Sequence, residues 1–574
     1  MLNYSMLTPY FEDFDKTCPL KEYPRPTLVR DSYINLNGVW NYTLSDIKDI
    51  NLEVKDEIVV PYVIESYLSG VRNDIDKKYI CYKRNFEIKE DFIKDHIILH
   101  FGAVNQICDI YVNKVKVGSH IGGYLPFSID ITKEIKVGSN ELYVIVENIP
   151  NLDLGVGKQG YKRGGMWYTK VSGIWQTVWL ESYHKTAIKN IRFKTNIDNG
   201  IVNMNIDSKA SEFKIIISHN NEVVKELYTK DSFVNFVIDS PKLWNTEAPN
   251  LYNVLIETKH DSIKTYFAFR EVSFDEKYIY LNKEKIFLNG LLDQGYFSDG
   301  IYTPASYDAY KDDILKMKNL GFNTLRKHIK VEPEMFYYLA DKLGMLVLQD
   351  FPNSGQYSFF RDTVLPTIGF KRLPDEFRKV SKNRKEYFIK DNKELLDNLY
   401  NHPSVIYYTI FNEGWGQFLS DKMYEIFKNY DPSRIYDSTS GWFYRKLTDI
   451  NSLHVYFKKV RLPKKSKLPI VLSEFGGYSY KIEEHSFNSE HNYGYKLYKT
   501  KEDISNGFKE LYERDVIDNI KNGLVGAIYT QVSDVEDETN GILTYDRQVL
   551  KLDENIVKEV NKKVYETFKN VGKE

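Results

Sequence analysis

The chain has 574 residues, 42% of them hydrophobic and 28% charged, with a formal net charge of −2. That length exceeds a single hydrophobic core and fits three domains, and so small a net charge supplies no field to gather nucleic acid or an anionic membrane. Cys18, Cys81 and Cys108 are too few for a disulfide framework and lack metal-ligand spacing.

The opening run MLNYSMLTPYFEDFDK carries acidic residues where a secretion signal needs an apolar core, and no run approaches the ~18 apolar residues of a membrane span. A cytoplasmic location with no membrane partner is expected. Aromatics reach 15%, including 45 Tyr. They suit stacking on sugars, and equally a compositional drift shared with the many Lys, Asn and Ile.

Residues 1–183 read as all-β. Short alternating runs (Gly38–Leu44, Cys81–Ile88, His96–Phe101, Ile107–Val112, Glu141–Val146) are punctuated by Gly, Asn and Asp. A β-sandwich of jelly-roll type is expected. The Gly-rich loop Gly157–Gly173, with Tyr161, Arg163, Trp167 and Tyr168, is either a surface loop or a finger reaching another domain's pocket.

Residues 184–275 hold further short strands, Phe213–Ser218, Leu251–Thr258 and Ile263–Phe269, and fit an immunoglobulin-like sandwich. Trp244 and Tyr252 read as core there.

Residues 276–574 change rhythm. Thr303-Pro304 predicts a helix start, and Tyr307, Tyr310, Ile314 and Met317 a buried stripe ended by Gly321. Phe322–Arg326 is a predicted strand, followed by a loop with His328. Phe336, Leu339, Ala340 and Leu343 mark a second helix stopped by Gly344. Met345–Gln349 is the next strand, tipped by Asp350, a candidate to contact the sugar, and Pro352–Arg384 is an irregular insertion on the ligand-facing side. This is the βαβ pattern of a (β/α)8 TIM barrel. Two apolar strands within it end in carboxylates, IYYTIFNEGWGQ in Glu413 and LPIVLSEFGG in Glu474, 61 residues later. Barrel chemistry sits at strand C-termini, and a carboxylate pair there suits glycoside hydrolysis.

These motifs give the chain a resemblance to glycoside hydrolase family 2, the β-galactosidases, β-glucuronidases and β-mannosidases. YPRPTLVRDSYINLNGVW, VPYVIESYLSGV, GGYLPFSIDIT and VSGIWQTVWLE look like its sugar-binding sandwich. LWNTEAPNLYNV and FAFREV look like its immunoglobulin-like domain, and FNEGWGQ, SEFGG and TQVSDVEDETNGILTYDR like its barrel. The resemblance implies Glu413 as general acid/base and Glu474 as nucleophile of a retaining enzyme, with carboxyls roughly 5–5.5 Å apart. It further implies Asn412 on the sugar 2-hydroxyl, Tyr456 on the nucleophile, His328 on the sugar, and Trp167 over the barrel mouth. Trp415 reads either as a stacking wall of the pocket or as core, and Tyr529, at the end of the last strand, as a residue beside the pocket.

The chain also departs from the family pattern. Relatives carry an Arg-His-Glu-like segment after the first barrel strand, where this chain has Gly290-Leu291-Leu292-Asp293-Gln294-Gly295. Asp293 and Gln294 are candidates to replace those groups. The Asn-x-Lys that holds a uronate in β-glucuronidases is Glu538-Thr539-Asn540-Gly541 here, which disfavours an acidic sugar unless Arg163, Lys327 or Lys330 serves.

No cofactor is expected to be required. A divalent cation (Mg or Ca) on Asp534–Glu538 is the alternative to a solvated acidic loop. His485 and His491 fit no metal motif, and Arg461–Lys467 reads as a solvated loop. The expected function is a retaining exo-β-glycosidase acting on a carbohydrate substrate, with β-galactosidase as first choice. The other readings are β-glucuronidase or β-galacturonidase, β-mannosidase, a transglycosylase, and a sugar-binding member without chemistry. A homo-oligomer is possible on the family's habit.

Overall fold

The computed structural model describes all residues except 1, 4, 74, 160–162, 371–373, 377 and 572–574. Tyr161 of the Gly-rich loop therefore lies outside the described residues.

The first sandwich packs six strands against four. The larger sheet runs Asp56–Val60, Gly38–Ser45, Tyr79–Ile88, Gly138–Glu147, Ile107–Val112, Val115–Ile121. The smaller runs Phe127–Asp130, His96–Phe101, Val178–Tyr183, Tyr33–Asn35. All pairings within both sheets are antiparallel. Side chains alternate along each strand, so Trp40, Tyr82, Ile110 and Val144 meet in one core while their neighbours point to the opposite face of the sheet.

The second sandwich sets Asn190–Thr195, Ile201–Asp207 and Phe233–Val237 against Ser262–Phe267, Tyr252–Glu257, Phe213–His219 and Glu222–Thr229. That second sheet gains an edge from far upstream, because Val29–Arg30 pairs with Ser262–Phe267. Tyr252 is in the core of this sandwich. Trp244 is buried at its junction with the barrel, where its indole donates to Asp341 O at 2.7 Å.

Eight parallel strands form the barrel: β1 Leu288–Asp293, β2 Thr324–Lys327, β3 Leu346–Asp350, β4 Val405–Thr409, β5 Ile435–Asp437, β6 Asn451–Val455, β7 Ile470–Gly476 and β8 Leu524–Thr530. They run around it in the order β5-β4-β3-β2-β1-β8-β7-β6. Between β5 and β6 the loop residue Asp449 closes the ring, its N–H donating to Tyr436 O and its carboxylate accepting from Tyr436 N, both at 2.9 Å.

Helix α1, Asp308–Asn319, starts later than Thr303-Pro304 predicts. The Thr303 hydroxyl donates to Trp175 O of the first sandwich, so this apparent helix cap is used as a tie between domains. Tyr310, Ile314 and Met317 are buried along α1, with Tyr307 just before it. Helix α2, Glu334–Leu343, ends on Gly344 at φ 73°, the left-handed stop its glycine predicts. The insertion 352–384 holds a π-helical turn, Phe359–Val364, and exposes Phe359, Phe360, Ile368 and Phe370. Among the described residues no helix is long and apolar enough to cross a membrane.

Candidate active site

Glu474 lies within β7 and is buried, and Glu413 follows β4 by way of Ile410-Phe411-Asn412. Glu413 takes a left-handed backbone (φ 53°), a cost met locally by its N–H bond to Ser440 O at 2.9 Å. Gly414 then turns the chain at φ 73°, where an added Cβ would lie 2.1 Å from the Phe443 ring, so only glycine fits. This turn brings a carboxylate oxygen of Glu413, one of Glu474 and a ring nitrogen of His454 within 4.8 Å of one another.

Arg326 on β2 organises the floor of the site. It is fully buried and donates to Asp350 Oδ1 (3.0 Å), Glu474 Oε1 (3.0 Å), Asn412 Oδ1 (2.8 Å) and Ser473 O (2.9 Å). The Tyr456 hydroxyl donates to the other Glu474 oxygen, Oε2. Burial alone would raise the Glu474 pKa. The Arg326 guanidinium and the Tyr456 hydroxyl outweigh it and hold the carboxyl well below its usual range. His328 Nδ1 lies 2.8 Å from Asp350 Oδ2 and 4.0 Å from Glu474 Oε1. Asp350 therefore sits behind the site, and burial pushes its carboxyl up less than Arg326 and His328 pull it down.

The Gly-rich loop of the first sandwich reaches this mouth, which settles it as a finger. Trp167 packs edge-on against Trp415 (ring centroids 4.8 Å) and against Tyr357 of the insertion (5.0 Å). The Trp415 indole donates to Gly355 O at 3.1 Å. Arg163 pairs with Asp537 (2.8 Å) and Glu536 (3.5 Å), and the Tyr168 hydroxyl donates to Glu538.

Other sequence candidates land differently. Asp293 is tied to Lys327 (2.9 Å) and to Gly295 N (2.9 Å), so it forms a buried ion pair. Lys327 also meets Glu332 (2.6 Å), and Lys330 meets the same Glu332 (2.9 Å). Gln294 donates to Gln531 Oε1 (2.8 Å), and Gln531 donates on to Asn540 (3.0 Å) and Glu538 (3.3 Å). Tyr529 points away from the mouth into the helix layer, packed on Phe475, Phe508 and Tyr512. This corrects its placement beside the pocket: every β8 side chain is buried, so polarity gives no inward or outward signal.

The carboxylates of Asp534–Glu538 do not converge and do not fit a divalent cation. Asp534 meets Lys551 (2.5 Å), Glu536 accepts from Thr169 N (2.8 Å), and Asp537 accepts from Asn488 (2.8 Å). His485 is bonded to Asp546 at 2.7 Å.

Two residues at the centre of the site, Arg326 and His454, are absent from the sequence candidates. The signal for both was strand periodicity. Arg326 precedes His328 by two positions and His454 precedes Tyr456 by two, so each shares a face with a residue the motifs pick out.

Residues 34–184 match the profile of "Glycosyl hydrolases family 2, sugar binding domain", residues 174–270 that of "Glycosyl hydrolases family 2", and residues 272–565 that of "Glycosyl hydrolases family 2, TIM barrel domain". Among curated proteins, one from Formosa agariphila is 25% identical over 443 residues, 71% of this chain and 40% of that one. A "Beta-galactosidase" from Thermoanaerobacter pseudethanolicus is 24% identical over 493 residues, 78% of this chain and 61% of that one. The chain thus spans between 40% and 61% of the length of these relatives. Among solved structures, a β-D-glucuronidase from Dictyoglomus thermophilum superposes with a TM-score of 0.76 at 21% identity, covering 94% of this chain and 98% of that one. A family 2 β-galacturonidase from Eisenbergiella tayi gives 0.68 at 20% identity, covering 94% and 98%. With the barrel profile alone matching residues 272–565, the chain belongs to family 2 of the glycosyl hydrolases.

Proposed function

We propose that this chain is an exo-acting β-glycosidase that retains anomeric configuration by double displacement. The observation that carries the reading is the pair of barrel-tip carboxylates with oxygens within 4.8 Å. A retaining pair stands about 5–5.5 Å apart, whereas an inverting pair needs roughly 6.5–9.5 Å to admit water between sugar and base.

In the first step ionised Glu474 attacks the anomeric carbon, the bond to the leaving oxygen breaks, and Glu413 gives that oxygen its proton. In the second step water attacks the same carbon, Glu413 takes the water's proton, and the ester to Glu474 breaks. Asn412, whose Oδ1 is taken by Arg326, turns its amide N–H groups to the 2-hydroxyl. Tyr456 and Arg326 hold Glu474 ionised for attack and stabilise it as a leaving group.

The sugar is read first as a neutral hexoside, with β-galactoside preferred over β-mannoside. Arg163, Lys327 and Lys330 are all engaged by carboxylates, and the wall formed by Gln294, Gln531, Asn540 and Glu538 offers amides and an acidic group. A uronide is the second reading. Lys158, on the same finger, lies close enough to act electrostatically on both Glu538 and His328.

The test is a panel of aryl β-glycosides (galactoside, glucuronide, galacturonide, mannoside, glucoside, fucoside and α-L-arabinoside) on wild type beside Glu474→Gln. Turnover of one glycoside with loss in the variant supports the reading and names the sugar. Sugar binding without turnover leaves only the non-catalytic alternative, and a new disaccharide product identifies transglycosylation.

A further inference from the structure

We infer that His454 is a positioning residue for the acid/base: its Nδ1–H holds Glu413 Oε1, so that the transferable proton is carried on Oε2. The inference rests on the reading of Glu413 as acid/base.

The ring is built in. It projects from β6 with a fully buried side chain. Gly441 lies against its face, where an added Cβ would come 2.5 Å from the ring Cγ, and Trp442 packs on it with centroids 5.6 Å apart. Only a glycine at 441 leaves room for the imidazole in this position.

The two nitrogens have different surroundings. Nδ1 lies 2.7 Å from Glu413 Oε1. Nε2 lies 3.1 Å from Ser440 Oγ, 3.5 Å from Arg326 Nη1 and 3.7 Å from Glu474 Oε1. A guanidinium has only donors, so the nitrogen it faces presents its lone pair. The ring proton then resides on Nδ1, and the ring donates to Glu413. The titratable and charged groups acting on the ring are Glu413, Glu474, Arg326, Asp437 and Tyr456. Asp437 is itself held by the Tyr407 hydroxyl at 2.9 Å.

An N–H fixed on one oxygen makes that oxygen an acceptor in both protonation states of the carboxyl. The proton to be delivered is confined to Oε2 in the first step. In the second step, when Glu413 must receive a proton from water, the same N–H stabilises the carboxylate. His454 thus weights the enzyme toward base catalysis of deglycosylation, through Glu413 and without touching the sugar.

The experiment compares wild type, His454→Phe and His454→Asn on the glycoside that the wild type turns over. Asn places an amide N–H near the position of Nδ1. With a dinitrophenyl leaving group, which needs no acid, His454→Phe is expected to keep its burst rate within about 10-fold and to lose about 100-fold in the following steady state. With a poor leaving group, the alkaline limb of its kcat/KM profile moves to higher pH, and His454→Asn recovers most of both effects. Equal losses in the two steps with unmoved limbs, or a His454→Asn no better than His454→Phe, overturns the inference and leaves the ring as packing. Full activity in Glu474→Gln instead overturns the underlying assignment of the carboxylates.

Discussion

The Arg326 guanidinium donates to Glu474 Oε1 at 3.0 Å, with 1% of the arginine side chain and 5% of the glutamate side chain exposed. A buried charge stripped of its partner is strongly destabilising, so this pair governs both folding and proton affinity.

Arg326→Gln is expected to destabilise the fold by about 3–5 kcal/mol, read by denaturant unfolding. It also moves the acid limb of kcat/KM to higher pH. The sign follows from the depressed Glu474 pKa. The nucleophile must be ionised, and a carboxyl held below its usual range stays ionised to low pH. Loss of the guanidinium lets the proton return sooner. The stability due to the same pairing is present above the unfolded carboxyl's value and is lost as pH falls through the folded one. An unmoved acid limb in a folded Arg326→Gln would show that Glu474 is not the group that limb reports.

Azide separates the two carboxylates. Glu474→Ala, with a small nucleophile filling the vacated face, should release an α-glycosyl azide. Glu413→Ala should form its intermediate from an activated aryl glycoside and release a β-glycosyl azide. Each variant without azide is expected to fall by roughly four orders of magnitude on an unactivated substrate. Product configuration read by NMR checks the assignment, and exchanged configurations reverse it.

Trp167→Ala tests the contact between the first sandwich and the barrel mouth. Its ring packs edge-on against Trp415 and Tyr357 at the mouth. The expected result is a KM raised about tenfold with kcat nearly unchanged, the pattern of lost uniform binding. A drop confined to kcat argues for a role in ordering Glu413.

A stability effect away from the site comes from Asp391, on the helix Lys382–Leu399. Burial, with Glu394 adding to it, pushes its carboxyl up to about 7. A raised carboxyl contributes stability that is full below its unfolded value near ~3.9 and lost as pH rises through the folded value. Asp391→Asn should therefore raise the unfolding temperature at pH above that range and leave it unchanged in acid. Equal shifts at both extremes would mean the side chain is not titrating there.

The sequence made the architecture and the two carboxylates legible because they rest on local patterns: alternating strands, left-handed glycine stops such as Gly344, and apolar runs that end in Glu413 and Glu474. What stayed hidden depends on distant partners. Asp293 looked free to bind a sugar until Lys327, 34 residues on, was found paired with it. Thr303-Pro304 has the composition of a helix start, yet its hydroxyl serves Trp175, 128 residues upstream. Arg326 was readable in principle, since a charged residue inside an apolar strand demands several acceptors. Tyr529 was not, because β8 is buried on both faces.

The bond from the Tyr168 hydroxyl to Glu538 spans 370 positions of chain. Synthesis runs from the first sandwich to the last barrel strand, and domains fold largely in that order. The finger is thus made long before the loop it locks against. The site exists only once β8 and the loop after it have emerged and the barrel has closed under the waiting finger. Nascent and truncated chains lacking that loop are left with a folded sandwich whose Tyr168 hydroxyl lacks its carboxylate partner, and the onset of activity during translation becomes a readout of barrel completion.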